Sequence, residues 1–212
     1  MKQFFKKGEV VLFQGDSITD WGRDLNDITS LSDGYVGKIG SIFRTFFRDS
    51  GITFINKGVS GDRVPDLIVR YIEDILDQEP DFISILIGIN DVWRRYDSED
   101  PSTVDAFRDH YEYLLKMLRH NIPNIKILLM EPFLLHTKPE QKIWREDLDP
   151  KIQVVREMAQ KYADYFIPLD GIFAELCVHG YKPEELADDG VHPTDAGNAV
   201  IAHAYLKTLG II

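Results

Sequence analysis

Only one of the 212 residues, Cys177, is a cysteine, so no internal disulfide can close and the chain is expected in a reducing compartment. Long hydrophobic runs are missing too. The opening stretch, Met1-Lys2-Gln3-Phe4-Phe5-Lys6-Lys7-Gly8-Glu9, lacks the uninterrupted apolar core of a secretory signal, and no later stretch is long and apolar enough to span a bilayer. A cytoplasmic location without membrane contact is the expectation. Positive charge is in deficit: 24 Lys and Arg against 35 Asp and Glu leave a formal charge of -11. Such a surface repels nucleic-acid phosphates and anionic lipids, which points to a neutral or cationic small molecule as partner. There are no repeats, low-complexity tracts or linker-like stretches. With 44% hydrophobic residues, the chain is expected to form one domain over residues 1–212.

Short runs rich in Val, Ile, Leu and Phe alternate with longer amphipathic stretches, the pattern of a parallel sheet covered on both faces by helices. Strands are expected at Val10 to Phe13, Thr53 to Asn56, Phe82 to Ile87, Lys126 to Met130 and Tyr165 to Pro168. Helices are expected near Tyr35 to Phe47, Pro65 to Leu76, Thr103 to Asn121 and Leu148 to Tyr162, with a terminal helix from about Asp195 to Leu209. In the third of these, Phe107, Tyr111, Leu114, Leu115 and Leu118 recur at spacings of three and four, as a helix packed on a sheet requires. Asn121-Ile122-Pro123-Asn124 ends it, because proline cannot continue the hydrogen-bond ladder. The least regular segment, Leu134 to Pro150, contains Pro139, Pro150 and mixed charges, and reads as a long loop or lid. Cys177 lies in the apolar run Ile172 to Val178, where a thiol serves as a small buried hydrophobe rather than a nucleophile.

In open parallel sheets, ligands bind beyond the carboxyl ends of the strands. The polar motifs of this chain fall at those ends: Ser17 after the first strand, Gly61 after the second, Asn90 after the third, and Asp189-Gly190-Val191-His192 after the last. A serine hydroxyl attacks well at neutral pH only if an imidazole takes its proton, and the imidazole works best when a carboxylate fixes its tautomer. Ser17, His192 and Asp189 supply those three groups. Three residues separate Asp189 from His192, so on one helical turn the carboxylate would reach Nδ1 and leave Nε2 facing Ser17. Thr194 or Asp195 would then cap the following helix. Acyl transfer also needs donors aimed at a developing oxyanion. The candidates are the N–H groups of Ser17 and Gly61, the latter in Asn56 to Asp62, and the side-chain amide of Asn90 in Ile87 to Asp91.

Taken together, Gly15-Asp16-Ser17, Gly61, Gly88-Ile89-Asn90-Asp91 and Asp189-Gly190-Val191-His192 resemble the SGNH hydrolases, also called GDSL-like esterases and lipases. The resemblance implies a three-layer α/β/α flavodoxin-like fold with a five-stranded parallel sheet, and a catalytic set of serine, glycine, asparagine and histidine. It also implies that Asp189, rather than Asp16, completes the triad, and together with the spacing to His192 it selects Asp189 over its neighbour Asp188. The flanks Asn56 to Gly61, Ile89 to Asp97 and Met130 to Phe133 are similar to the intracellular bacterial acetylxylan esterases of that superfamily. Asp188 departs from the pattern, since many of those esterases carry an aromatic residue there. The likeness implies a serine esterase that removes acetyl groups from xylo-oligosaccharides or related sugars, needs no cofactor or metal, and assembles from several copies.

Each residue also has a plainer role open to it. Gly61 would serve a tight turn and Asn90 a helix start, while Asp16, Asp20 and Asp91 fit loop and cap positions better than substrate contact. Trp93 and Tyr96, close behind Asn90, are the aromatic residues placed to stack on a sugar; Trp21 and Trp144 are further candidates. Three other readings compete. A lysophospholipase or thioesterase would use the same triad on longer acyl chains. A metal-dependent phosphoesterase would use Asp16, Asp20, Asp91 and His192, but lacks the further histidines that two metals usually need. A carbohydrate-binding protein would keep the fold without turnover.

Overall fold

Five apolar segments lie side by side as one parallel sheet in the order β2-β1-β3-β4-β5, with β1 at Val10–Gly15, β2 at Thr53–Asn56, β3 at Phe82–Leu86, β4 at Lys126–Met130 and β5 at Tyr165–Ile167. The computed structural model describes all of residues 1–212. Helices fill the connections: α1 Ser17–Asp20, α2 Tyr35–Phe46, α3 Val64–Val69, α4 Tyr71–Asp74, α5 Ile89–Asp97, α6 Val104–Asn121, α7 Gln141–Tyr162, α8 Leu169–Val178, α9 Pro183–Leu186 and α10 Asp195–Thr208. None of them is long and apolar enough to cross a membrane.

Side chains alternate across each strand, and the two faces build two separate cores. Val11, Phe13, Phe82, Leu86, Leu128 and Met130 pack with Tyr35, Val36, Ile39 and Phe43 of α2, Phe173 of α8 and Ile201 and Tyr205 of α10. Leu12, Ile83, Ile85, Ile127 and Leu129 pack on the opposite face with Leu67 of α3, Tyr71 of α4 and the expected stripe Phe107, Tyr111, Leu114, Leu115 and Leu118 of α6. This is the three-layer α/β/α arrangement, with the flavodoxin-like strand order. The order reverses between β1 and β3, so the crevice at their carboxyl ends is where a ligand is expected.

Three sequence expectations need correction. The segment expected as a long loop or lid, Leu134 to Pro150, is irregular only to residue 140; from Gln141 it is the first part of α7, with Pro150 inside the helix. Leu134 and Leu135 are buried rather than hanging free, and the helix passes through the proline because Trp144, Leu148, Ile152, Val154, Val155 and Met158 all bury against the two cores. Their burial outweighs a penalty of about 3 kcal/mol for an interior proline. Secondly, the stretch Pro65 to Leu76 is not one helix: it breaks at Arg70, where the backbone leaves helical dihedrals and the guanidinium binds both Asp62 and Asp74. Finally, α8, like α1, α5 and α9, matches none of the expected helices, and it leaves Cys177 half-buried against the first core and unpaired, with burial raising its thiol pKa.

Replacing Pro150 with alanine restores a backbone donor inside α7 without touching either core. Pro150→Ala is expected to stabilise the protein by about 1 to 2 kcal/mol, after allowing for the greater freedom of the unfolded chain. Urea denaturation followed by circular dichroism measures the shift.

Candidate active site

Ser17 sits where β1 turns directly into α1, and Gly15 makes that turn possible. A Cβ on Gly15 would lie 2.3 Å from the Leu86 carbonyl oxygen of β3 and 2.4 Å from Thr19 Oγ1, so only glycine lets the strand close on its neighbour. Asp16 caps α1, its Oδ1 accepting the Ile18 N–H at 3.0 Å. Burial pushes the Asp16 carboxyl up to about 7, against the opposing pull of the Ile18 N–H and of His192.

From the far end of the chain His192 reaches this point, with its Nε2 2.9 Å from Ser17 Oγ. Its Nδ1 lies 2.7 Å from Asp189 Oδ2. The expected trio is therefore together, although the local geometry differs from the expectation. Residues 189–192 form a turn rather than a turn of helix, because Gly190 takes a left-handed φ of 88°. That conformation folds two N–H groups back onto the carboxylate: Val191 N donates to Asp189 Oδ1 at 2.9 Å and His192 N at 2.7 Å. Burial alone would raise the Asp189 pKa. The His192 ring and the two N–H groups overcome it and hold the carboxyl well below the ordinary range. In return, the Asp189 hydrogen bond raises the imidazole pKa, with burial opposing and the charges of Asp189 and Asp16 adding to the rise. Asp188 points into solvent, and Thr194 rather than Asp195 caps α10 by accepting the Gly197 N–H. His179 and His203 are exposed.

The donor candidates gather around the same serine. The loop after β2 lies along α1: a Cβ on Gly58 would come 2.4 Å from the Asp20 N, Val59 N donates to the Gly15 carbonyl, and Ser60 Oγ donates to Asp20 Oδ2 at 2.6 Å. Gly61 follows with a left-handed φ of 89°, and neither its N–H nor that of Ser17 has an acceptor within the protein. Asn90, 3% exposed at the start of α5, spends one amide N–H on the Asp62 carbonyl at 3.0 Å. A second amide N–H is left over, and Arg94 Nη2 donates to the Asn90 Oδ1 at 3.4 Å, which settles the orientation of the amide. Asp62 itself is tied to Arg70. Asp91 caps toward the Val64 N–H at 3.4 Å and is pushed up to about 7 by burial. Asp16, Asp20, Asp91 and His192 do not gather as metal ligands.

Beside Ser17, His192 and Asp189 opens a cleft of about 360 Å³ lined by Trp93, Tyr96 and Trp144 together with Gln141, Lys138, Glu140 and Asp189. Trp93 lies 5.8 Å from the His192 ring and 5.5 Å from Trp144, on which Tyr96 stacks at 5.2 Å. Trp21 also approaches the imidazole, at 6.4 Å. Lys138 and Gln141 escaped sequence reasoning because they belong to the segment read as a lid. Pro139, two residues before the first residue of α7, was the one helix-start signal available there.

Residues 13–200 match the model of the GDSL-like Lipase/Acylhydrolase family. The chain belongs to this family. It is a carboxylic ester hydrolase with the SGNH fold. This GDSL esterase is 38% identical over 209 residues to an acetylxylan esterase of Geobacillus stearothermophilus, covering 96% of this chain and 94% of that one. Among solved structures, a crystal structure of an acetylxylan esterase from the same organism superposes with a TM-score of 0.88 at 35% identity, covering 98% of this chain and 97% of the other. A GDSL-like lipase from Parabacteroides merdae superposes at 0.92 with 31% identity, covering 98% of both chains.

The imidazole of His192 is expected to titrate above the ordinary histidine range, since Asp189 stabilises its charged form. Asp189→Asn removes that charge and lowers the His192 pKa. Proton–nitrogen NMR of the histidine rings across pH measures both values.

Proposed function

We propose that this GDSL esterase removes acetyl groups from short sugars, with acetylated xylo-oligosaccharides as its first substrate class. One observation carries the reading: a serine hydroxyl lies 2.9 Å from an imidazole whose other nitrogen lies 2.7 Å from a carboxylate. In the reaction, Ser17 Oγ attacks the ester carbonyl while His192 Nε2 takes its proton, and Asp189 steadies the resulting imidazolium and its tautomer. The free N–H groups of Ser17 and Gly61 and the spare amide N–H of Asn90 receive the oxyanion. His192 then protonates the sugar oxygen as its bond to the acyl carbon breaks, freeing the hydroxyl, and a water deprotonated by the same ring releases acetate from Ser17.

The sugar half of the substrate follows from the cleft. Trp93 and Tyr96 offer apolar faces to a pyranose ring, while the exposed side chains of Lys138 and Glu140 offer polar partners to its hydroxyls. A wall of this mixed character suits a hydroxylated leaving group better than a lipid. Two further findings support the reading: the similarity to an acetylxylan esterase, and the existence of that esterase in solved forms described as catalytic mutants, with a serine, an aspartate or a histidine replaced by alanine. We further propose that the chain works in the cytoplasm, where imported oligosaccharides would reach it, and as an assembly of several copies.

Hydrolysis of acetylated xylo-oligosaccharide, followed by acetate release, is expected to fall by about four orders of magnitude in Ser17→Ala and His192→Ala. Reaction with a fluorophosphonate probe disappears in Ser17→Ala. Asn90→Ala loses about a hundredfold or more in kcat, and unchanged turnover there would remove Asn90 from the oxyanion site. Across nitrophenyl esters, acetate is expected to exceed octanoate in kcat/KM; the reverse order would favour a lysophospholipase or thioesterase.

A further inference from the structure

The turn that presents His192 has no helical ladder of its own, so something outside it must hold its shape. Gln141, at the first position of α7, is 2% exposed and lies across that turn. Its Oε1 accepts three hydrogen bonds, from Thr137 N at 3.0 Å, Thr137 Oγ1 at 3.2 Å and Lys138 N at 2.9 Å. Those donors determine which way the amide faces, and its Nε2 therefore points at the Asp189 carbonyl oxygen, 2.5 Å away. Gly190 lies directly against this amide: a Cβ there would meet Gln141 Nε2 at 2.7 Å and the Leu135 carbonyl oxygen at 2.2 Å. Leu135 N closes the contact by donating to the Gly190 carbonyl at 2.8 Å. The irregular segment 134–140 is thus stitched to the turn through its backbone and through one glutamine. Behind it, α7 is anchored in the core by Trp144, Leu148 and Ile152.

We propose that Gln141 is a positioning residue, which holds the Asp189 backbone so that its carboxylate stays in line with His192 Nδ1. It touches no reacting atom. The inference rests on the reading of Ser17, His192 and Asp189 as the catalytic trio. If the amide is lost, the Asp189 carbonyl loses a buried donor and the turn can tilt, which lengthens the Asp189–His192 contact. A small displacement of a catalytic group is costly, because the rate depends on the alignment of the proton acceptor. Lys138 and Trp144, on either side of Gln141, line the cleft, so the same brace joins the sugar-facing wall to the proton relay.

The test uses two variants: Gln141→Met keeps the length and removes the amide, and Gln141→Asn keeps an amide that is too short to bridge both sides and spares the fold. Steady-state kinetics on acetylated xylo-oligosaccharide over a range of pH are expected to show kcat lower by about tenfold or more in each, with KM within about twofold. The acidic limb of the profile is expected to move to lower pH. The sign follows from His192, which must be neutral to accept the serine proton and loses basicity as Asp189 draws away. A purely structural role would not move that limb. A wild-type acidic limb in the folded variants, or a loss confined to KM, would overturn the proposal. Asp189→Asn, measured in parallel, separates this failure from a deeper one: near-normal turnover in it would mean that the trio is misread. Its inactivity beside Gln141 variants with wild-type kinetics would reject the brace alone.

Discussion

A carboxylate kept charged in a half-buried turn is the constraint around which this crevice is organised. Asp189 keeps its charge because three donors converge on it, two of them backbone N–H groups of the turn that follows and the third the ring of His192. Burial alone would raise its pKa, as it does for the more deeply buried Asp16 and Asp91 nearby. Three carboxyls within one region thus have different proton affinities, and the difference comes from how deeply each is buried and how many donors each has found. Only Asp189 is paired with an imidazole.

The sheet supplies the convergence. Reversal of strand order between β1 and β3 sends α1 and α5 away from a common edge, and the loop after β2 fits against α1 through Gly58. Ser17, Gly61 and Asn90 each stand at the start of a connection, where backbone N–H groups are not consumed by a helical ladder. His192 arrives from a different direction, on a turn pressed between α9 and α10. The position of that turn is therefore set by packing rather than by a strand end, and the segment ahead of α7 meets it there.

Much of this was legible before any coordinates. All five strands follow from continuous apolar runs, because a parallel sheet covered on both faces needs apolar side chains on both. The stripe on α6 follows from its period. Helix α7 was obscured from its start to Pro150 because proline and mixed charges are local signals of irregular chain, whereas the burial that overrides them comes from residues remote in sequence. The break at Arg70 was hidden for a related reason: its two acidic partners, Asp62 and Asp74, sit eight residues before it and four after, a relation that hydrophobic periodicity does not report.

At the site, the chain's own order of residues determined which side chains were available: one serine after the first strand, one asparagine after the third, and a histidine three residues beyond an aspartate. Those choices are chemical, and residue type and spacing record them. What only the tertiary structure decided is how Asp189 meets His192. The pairing arises from a left-handed glycine and a turn between α9 and α10, held by the start of α7 and the segment before it, rather than from a helical turn. Spacing says that two groups are close along the chain, but their orientation depends on a backbone held by neighbours such as Leu135 and Gln141, which come from some fifty residues away.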